Sequence, residues 1–315
     1  MGSVLVTGGA GFIGSHLVER LVEKGCSVIV VDNLLRGELD NLSNVLDKIK
    51  FVKGSIRNYA LMEELVKNSN FVFHLASLSR VLPSIENPRL CFKINVEGTE
   101  IIARLCSKYR KKLIFSSSRE VYGSPKYLPV DEAHPLNPEN PYGASKVSGE
   151  KMIEAYAKSY ELSYVTLRLT NVYGSRDFDR VIPIFIENAL KEQNLVVYGA
   201  NKILDFVYIE DVINAFTAAM DSIDNQTLNI GSGVGLSIME LANLIKKVTG
   251  KEVGIVIKES RKGEVDKFVA DIKRAKDILN WEPKINLEEG LRLVIKEHRL
   301  QRSKKGLGNV LRKGL

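Results

Sequence analysis

Residues 4–15 read Val4-Leu5-Val6-Thr7-Gly8-Gly9-Ala10-Gly11-Phe12-Ile13-Gly14-Ser15, and this stretch decides the fold. Three apolar residues make a short strand, a glycine turn follows, and Leu17, Val18, Leu21 and Val22 then recur at helical spacing. Strand, glycine turn and helix in that order are the context of a dinucleotide fingerprint. Gly8 permits the tight turn, Gly11 lets a pyrophosphate approach the backbone, and Gly14 lets the helix pack close to the strand. The helix N-terminus offers unpaired N–H groups and a positive dipole end to the phosphates.

Working outward, Ser27-Val28-Ile29-Val30-Val31 reads as a second strand and ends in Asp32, about twenty residues past the glycines. An acid there accepts hydrogen bonds from the ribose hydroxyls and repels a 2′-phosphate, which favours NAD over NADP. Arg36 argues the other way, since a nearby arginine accommodates a 2′-phosphate. Strands then alternate with helices: a short helix near 38–47, a strand at Ile49–Val52, a helix at Tyr59–Lys67 and a strand at Phe71–Leu75. A long helix follows Pro88, a strand covers Lys112–Ser116, a helix covers 140–160, and a strand covers Ser163–Leu169. Such alternation implies a parallel, doubly wound sheet with right-handed crossovers.

The second half changes character. Helices are expected at Pro183–Leu190, Glu210–Met220 and Ile238–Val248, and near 271–279 and 287–299. Short strands are expected at Asn194–Tyr198, Leu228–Ile230 and Val253–Ile257. The organisation is therefore a dinucleotide-binding domain over 1–173, with later segments such as 205–230 packing back on it, a smaller mixed lobe over 174–300 that supplies substrate specificity, and a basic tail over 301–315.

The chain has 315 residues, 44% hydrophobic and 26% charged, ordinary values for a soluble globular enzyme. No apolar run approaches a membrane span. The chain opens directly on its first strand, leaving no room for a leader, so a cytoplasmic location is expected. Cys26, Cys91 and Cys106 form neither a disulfide framework nor a zinc pattern, and the four histidines make no ligand cluster, so no metal is expected. The net charge of +7 is concentrated in Arg299, Arg302, Lys304, Lys305, Arg312 and Lys313, a stretch without an acid. That is a solvated basic tail rather than a nucleic-acid surface.

Two segments carry the reaction chemistry. One is Phe115-Ser116-Ser117-Ser118-Arg119-Glu120-Val121-Tyr122-Gly123, at the C-terminal end of the fifth strand, the edge where open α/β sheets bind ligands. The other is Pro141-Tyr142-Gly143-Ala144-Ser145-Lys146, at the start of a helix, where Tyr142 and Lys146 share a face. An ammonium near a phenol favours the phenolate and lowers its pKa from about 10. The phenolate then takes a proton from a sugar or alcohol hydroxyl as hydride leaves the same carbon, with a serine hydroxyl bonding the substrate oxygen.

These residues resemble those of the NAD-dependent sugar epimerase/dehydratase family, the extended short-chain dehydrogenases/reductases. The likeness spans 3–300 and includes Thr7–Gly14, Asp32-Asn33-Leu34, His74-Leu75-Ala76, Asn95–Thr99, Ser116–Gly123 and Tyr142–Lys146. It continues through Leu167-Arg168, Asn171–Gly174, Asp205–Tyr208, Leu228–Gly231, Trp281-Glu282-Pro283 and Leu287–Gly290. The resemblance implies a Rossmann-type doubly wound sheet with a smaller mixed α/β substrate lobe, a tightly held NAD, a nucleotide-diphosphate sugar substrate and a homodimer formed through the helix at 88–106 and the helix of Tyr142. It implies that Gly8, Gly11, Phe12, Ile13, Gly14, Asp32, Asn33, Arg36, Ser55, Ile56, Leu75, Ala76, Asn95, Ser116, Tyr142 and Lys146 hold the cofactor. Tyr142 is the implied acid–base, tuned by Lys146, Ser118 the catalytic serine, Asn171 a contact to the sugar nucleotide and Arg261 a clamp on its diphosphate; with Leu204 in place of a common phosphate-binding arginine, Arg180 is expected to join Arg261 there.

Ser55 stands where the family commonly has an acid, and Leu204 where many members have a phosphate-binding arginine. Reaction type turns on Ser118-Arg119-Glu120. Dehydratases carry Thr-Asp-Glu there, decarboxylases Thr-Ser-Glu, and plain 4-epimerases small residues. Glu120 fits the first two as a catalytic group, and Arg119 cannot serve as the acid of a 4,6-dehydratase; it could pair with Glu120, bind a substrate carboxylate or face solvent. The reading of choice is 4-epimerisation of a UDP-sugar of the UDP-glucose/UDP-galactose type through a transient 4-keto sugar. UDP-glucuronate decarboxylation or epimerisation and 4,6-dehydration are alternatives, and a non-catalytic NAD-sensing module is a remote one.

Overall fold

The computed structural model describes residues 2–260 and 265–298. In chain order the elements are β1 (Ser3–Thr7), α1 (Phe12–Glu23), β2 (Ser27–Asp32), β3 (Ile49–Lys53), α2 (Tyr59–Lys67), β4 (Phe71–His74), α3 (Val81–Glu86) and α4 (Pro88–Phe92). A π turn at Lys93–Glu97 runs on into α5 (Gly98–Lys108), followed by β5 (Lys112–Ser118), α6 (Pro141–Tyr160), β6 (Tyr164–Leu169), β7 (Asn171–Tyr173) and α7 (Val181–Leu190). Then come β8 (Leu195–Tyr198), β9 (Ile203–Tyr208), α8 (Ile209–Asp221), β10 (Gln226–Ile230), β11 (Gly235–Ser237), α9 (Ile238–Thr249), β12 (Ile255–Lys258) and α10 (Lys273–Leu279). A helix over 287–298 follows.

Seven parallel strands form one sheet in the order β10-β6-β5-β4-β1-β2-β3. The strands read as apolar runs because both faces are covered. Val4 and Val6 pack with Leu17 of α1 and Phe216 of α8, while Leu5 between them packs on the opposite face with Met62, Ile102 and Ile153 of α2, α5 and α6. Burying each such side chain contributes roughly 1.5–3 kcal/mol. Strand order reverses between β1 and β4, and that reversal opens a crevice at the carboxyl ends of the strands.

β10, from the second half of the chain, pairs with β6 and completes the sheet's edge. The remaining strands form a three-stranded sheet, β11-β9-β7, and a two-stranded one, β12-β8. The short helix expected near 38–47 is instead two 3₁₀ turns, Leu39–Leu42 and Leu46–Lys48. Polar residues there bond elsewhere: the Asn41 amide donates to the Ala10 carbonyl at 2.9 Å, pinning this loop to the glycine turn. β5 runs to Ser118, two residues beyond the sequence expectation.

Candidate active site

Gly8 has φ +72°, a left-handed conformation, and a side chain there would strike the Ala76 backbone. Gly14 lies against the Gly8 carbonyl, so both positions exclude a Cβ. A Cβ at Gly11 would meet only the Gly8 carbonyl oxygen, at 3.3 Å, so that glycine leaves an open face toward the cleft. No side chain caps α1 at Gly11, and its first N–H groups remain for a ligand.

Asp32, at the end of β2, is buried. Its carboxylate accepts the N–H groups of Ala10 at 3.0 Å and Leu34 at 2.8 Å, which leaves lone pairs to spare, and burial pushes its pKa up. A glycine cradle, an uncapped helix and an acid with free acceptor capacity fit a dinucleotide with unmodified ribose hydroxyls. Arg36 is ion-paired to Asp179 at 2.8 Å.

The strand edge and α6 meet at the other end of the same cleft, whose volume is about 780 Å³. Asn140-Pro141 starts α6: the Asn140 side chain accepts the Gly143 N–H at 2.8 Å and Pro141 fills the first turn, where its missing N–H costs nothing. That start places Tyr142 and Lys146 one turn apart. The Lys146 ammonium donates to the Ser116 carbonyl at 2.8 Å and lies 4.8 Å from the Phe115 ring centroid and 5.9 Å from that of Tyr142. Burial pushes Lys146 down to about 8. Behind it, Glu150 receives Arg168 through both oxygens and the Ser117 hydroxyl, which fixes α6 against β5 and β6.

Tyr142 is pushed up to about 12, first by burial, with a Ser118 hydrogen bond pulling the other way. The sequence expectation of a phenol lowered by Lys146 is therefore not met in the protein alone. Desolvation, with the Glu120 carboxylate adding to it, outweighs the Ser118 hydrogen bond and the Arg180 charge that favour the phenolate.

Glu120 is buried, and each of its oxygens has a partner: Arg119 Nη2 at 3.0 Å and Asn140 Nδ2 at 2.9 Å. Arg119, also buried, lies 5.6 Å from the Phe268 ring centroid. Of the three fates the sequence left open for Arg119, pairing with Glu120 is the one observed.

Gly8, Gly11, Phe12, Ile13, Gly14, Asp32, Asn33, Arg36, Ser55, Ile56, Leu75, Ala76, Ser116, Ser118, Glu120, Tyr142, Lys146, Asn171 and Arg180 all line this one cleft. Asn95 does not line it; its amide clamps the Leu78 backbone through the N–H at 2.7 Å and the carbonyl at 3.2 Å, and so shapes the wall from behind. Arg261 lies outside the described residues. Arg180 stacks 5.5 Å from the Phe12 ring and bonds Asp177 at 3.3 Å. Sequence reasoning passed over Arg80, which pairs with Asp179 and is pushed down to about 10 by burial. It also passed over the role of Asp205, a fully buried carboxylate that accepts the N–H groups of Ser232, Gly233 and Ala270. The Asp205-Phe206 pair was visible as a motif, but only the fold shows that its acid gathers loops rather than touching ligand.

The sequence profile of the family described as GDP-mannose 4,6 dehydratase matches residues 5–294. A UDP-glucose 4-epimerase of Thermotoga maritima, solved with UDP-glucose, is 39% identical, covers 95% of this chain and 99% of its own, and superposes with a TM-score of 0.91. A UDP-glucose 4-epimerase of Halalkalibacterium halodurans is 34% identical over 90% of this chain and 91% of its own. DesIV, a dTDP-glucose 4,6-dehydratase of Streptomyces venezuelae solved with NAD, is 28% identical, covers 96% of this chain and 98% of its own, and has a TM-score of 0.91. With a fingerprint, a Tyr-Lys pair and a strand-five serine in one cleft, the chain belongs to the GDP-mannose 4,6-dehydratase family of NAD-dependent nucleotide-sugar epimerases and dehydratases.

Proposed function

We propose that this chain is a nucleotide-diphosphate sugar 4-epimerase of the UDP-glucose/UDP-galactose type. The observation that carries this reading is the state of Glu120. The carboxylate next to Ser118 is already bound to Arg119 and Asn140, so the strand-five edge presents one acid–base couple, Tyr142. One couple suffices for a 4-epimerase, whereas a dehydratase or decarboxylase needs a second. NAD, when bound, supplies the hydride acceptor at the sugar carbon and is regenerated in each cycle. Tyr142 takes the proton of the sugar hydroxyl and returns it, and Ser118 holds that oxygen. Lys146 keeps a positive charge beside the phenol and steadies the nicotinamide ribose. Asn171 and Arg180, which line the cleft, take the sugar nucleotide, and the family resemblance gives Arg261 the same task.

A proton NMR time course with UDP-glucose and no reductant tests the proposal. The UDP-galactose anomeric signal is expected to appear without net NADH. If UDP-glucose is inert, while UDP-glucuronate releases bicarbonate or the C6 signals of another sugar are lost, Glu120 has an acid–base role and the second reading, a decarboxylase or dehydratase, replaces the first.

The same proposal includes a homodimer through the helix pair α5 and α6 and a cytoplasmic location that cell fractionation checks. Among the described residues no helix is long and apolar enough to cross a membrane.

A further inference from the structure

Arg119 and Glu120 follow Ser118 directly in the chain and line the cleft with it and Tyr142. Both are more than nine-tenths buried, at 9% and 7% exposure. Their geometry is fixed from two sides. Asn140 holds Glu120 with its amide nitrogen and caps α6 with its amide oxygen, so the carboxylate is tied to the first turn of the helix that carries Tyr142. Phe268 lies against the guanidinium, in a small apolar cluster with Val121 and Tyr122. The pair carries one positive and one negative charge and is neutral as a unit.

We propose that the Arg119–Glu120 pair determines specificity, admitting nucleotide sugars whose ring carries no carboxylate and rejecting uronates. The inference rests on the reading that the cleft binds a nucleotide sugar with its reacting carbon at Tyr142. The physical reason is charge. A sugar carboxylate entering beside the pair places two carboxylates around one guanidinium, a net negative group in a poorly solvated wall, where like charges cost most. Of the other cations lining the cleft near Tyr142, Arg80 and Arg180 are already paired with Asp179 and Asp177, and Lys146 is turned to the Ser116 carbonyl.

An uncharged hexose leaves the pair neutral. It also brings what Arg119 lacks: Nη1 is buried and has no acceptor among the described residues. A small turn of the guanidinium offers that spare donor to a sugar hydroxyl, while Nη2 keeps its bond to Glu120. Leaving such a donor unpaired is unfavourable, so the substrate oxygen is the natural partner. In this arrangement Glu120 acts as a counter-ion that positions Arg119, not as a proton carrier.

The test compares UDP-glucose with UDP-glucuronate on the NAD-loaded full chain, as the ratio of kcat/KM for 4-epimerisation and as the ratio of Kd by titration calorimetry. Both ratios are independent of the fraction of folded enzyme. The wild type is expected to favour UDP-glucose. Glu120→Gln turns the neutral pair into a net cation and is expected to shift both ratios toward UDP-glucuronate by at least about tenfold. Arg119→Gln leaves Glu120 unopposed and is expected to shift them the other way, so one folded variant is enough to decide. Unchanged ratios in the folded variants, or a wild type that binds the uronate equally well or better, would overturn the proposal. Conversion of UDP-glucuronate to a pentose that Glu120→Gln abolishes would also overturn it, because Glu120 would then carry protons. If neither sugar is epimerised, the 4-epimerase reading fails by itself, and the Kd ratios still decide the role of the pair.

Discussion

At neutral pH the Tyr142 phenol, pushed up to about 12 by burial, holds its proton until the site supplies more positive charge than the protein alone brings to it. The enzyme reading makes that oxygen indispensable. Tyr142→Phe is expected to lower kcat by a factor on the order of 10² or more, with UDP-sugar binding retained, as loss of a general acid–base does. A kcat within about twofold of wild type in the NMR assay would remove Tyr142 from the chemistry. The Tyr142–Lys146 pairing was legible because helix period depends on local spacing alone, whereas Ser118 came from the family resemblance, the strand itself running two residues past its expected end. Pairing of Arg119 with Glu120 was one of three fates left open by the sequence; what holds the pair was not legible, because Phe268 comes from a segment far along the chain and Asn140, the partner of Glu120, was visible only as the residue before a proline.

His74 shows how a side chain couples elements. Its ring bonds Thr7 of β1 at 2.8 Å and Thr99 of α5 at 3.0 Å. Burial, with Lys146 adding to it, pushes His74 down to about 3, so the folded protein carries it neutral. The unfolded chain takes up a proton below the ordinary value of 6.5. The unfolded state thus binds more protons than the folded state between those two values. Stability is full above the window and falls as pH drops through it, by up to about 1.4 kcal/mol per unit. His74→Gln keeps polar groups at the position and removes the titration. Its Tm is expected to fall less steeply than that of wild type between about pH 7 and 5 in thermal unfolding. Parallel slopes would show that His74 does not set the acid limb. The major strands and helices around His74 were legible from apolar periodicity. β7 and β11, three residues each, were not: their pairing partner β9 lies at a distance in sequence, and short segments carry too little pattern of their own.

In the whole molecule, α5 packs along α6, and Phe92 of α4 remains 54% exposed. A second copy joined through the α5–α6 pair gives the proposed homodimer, and light scattering at micromolar concentration is expected to return twice the mass of one chain; a monomer mass would remove the dimer. The doubly wound order was legible because alternating strands and helices leave few topologies open. The return of β10 to the edge of the main sheet was anticipated only as a segment packing back, since the register with β6 depends on contacts across sixty residues of chain.

That late return has a consequence during synthesis. Every residue of β6 is buried, and β10 is what covers its outer edge. While a chain emerges from the ribosome, β6 is exposed well before Gln226 has been made, and it then presents unpaired backbone groups on an apolar strand. A polypeptide ended prematurely between these two strands is therefore expected to self-associate, and chaperone occupancy during translation is expected to be highest over this interval.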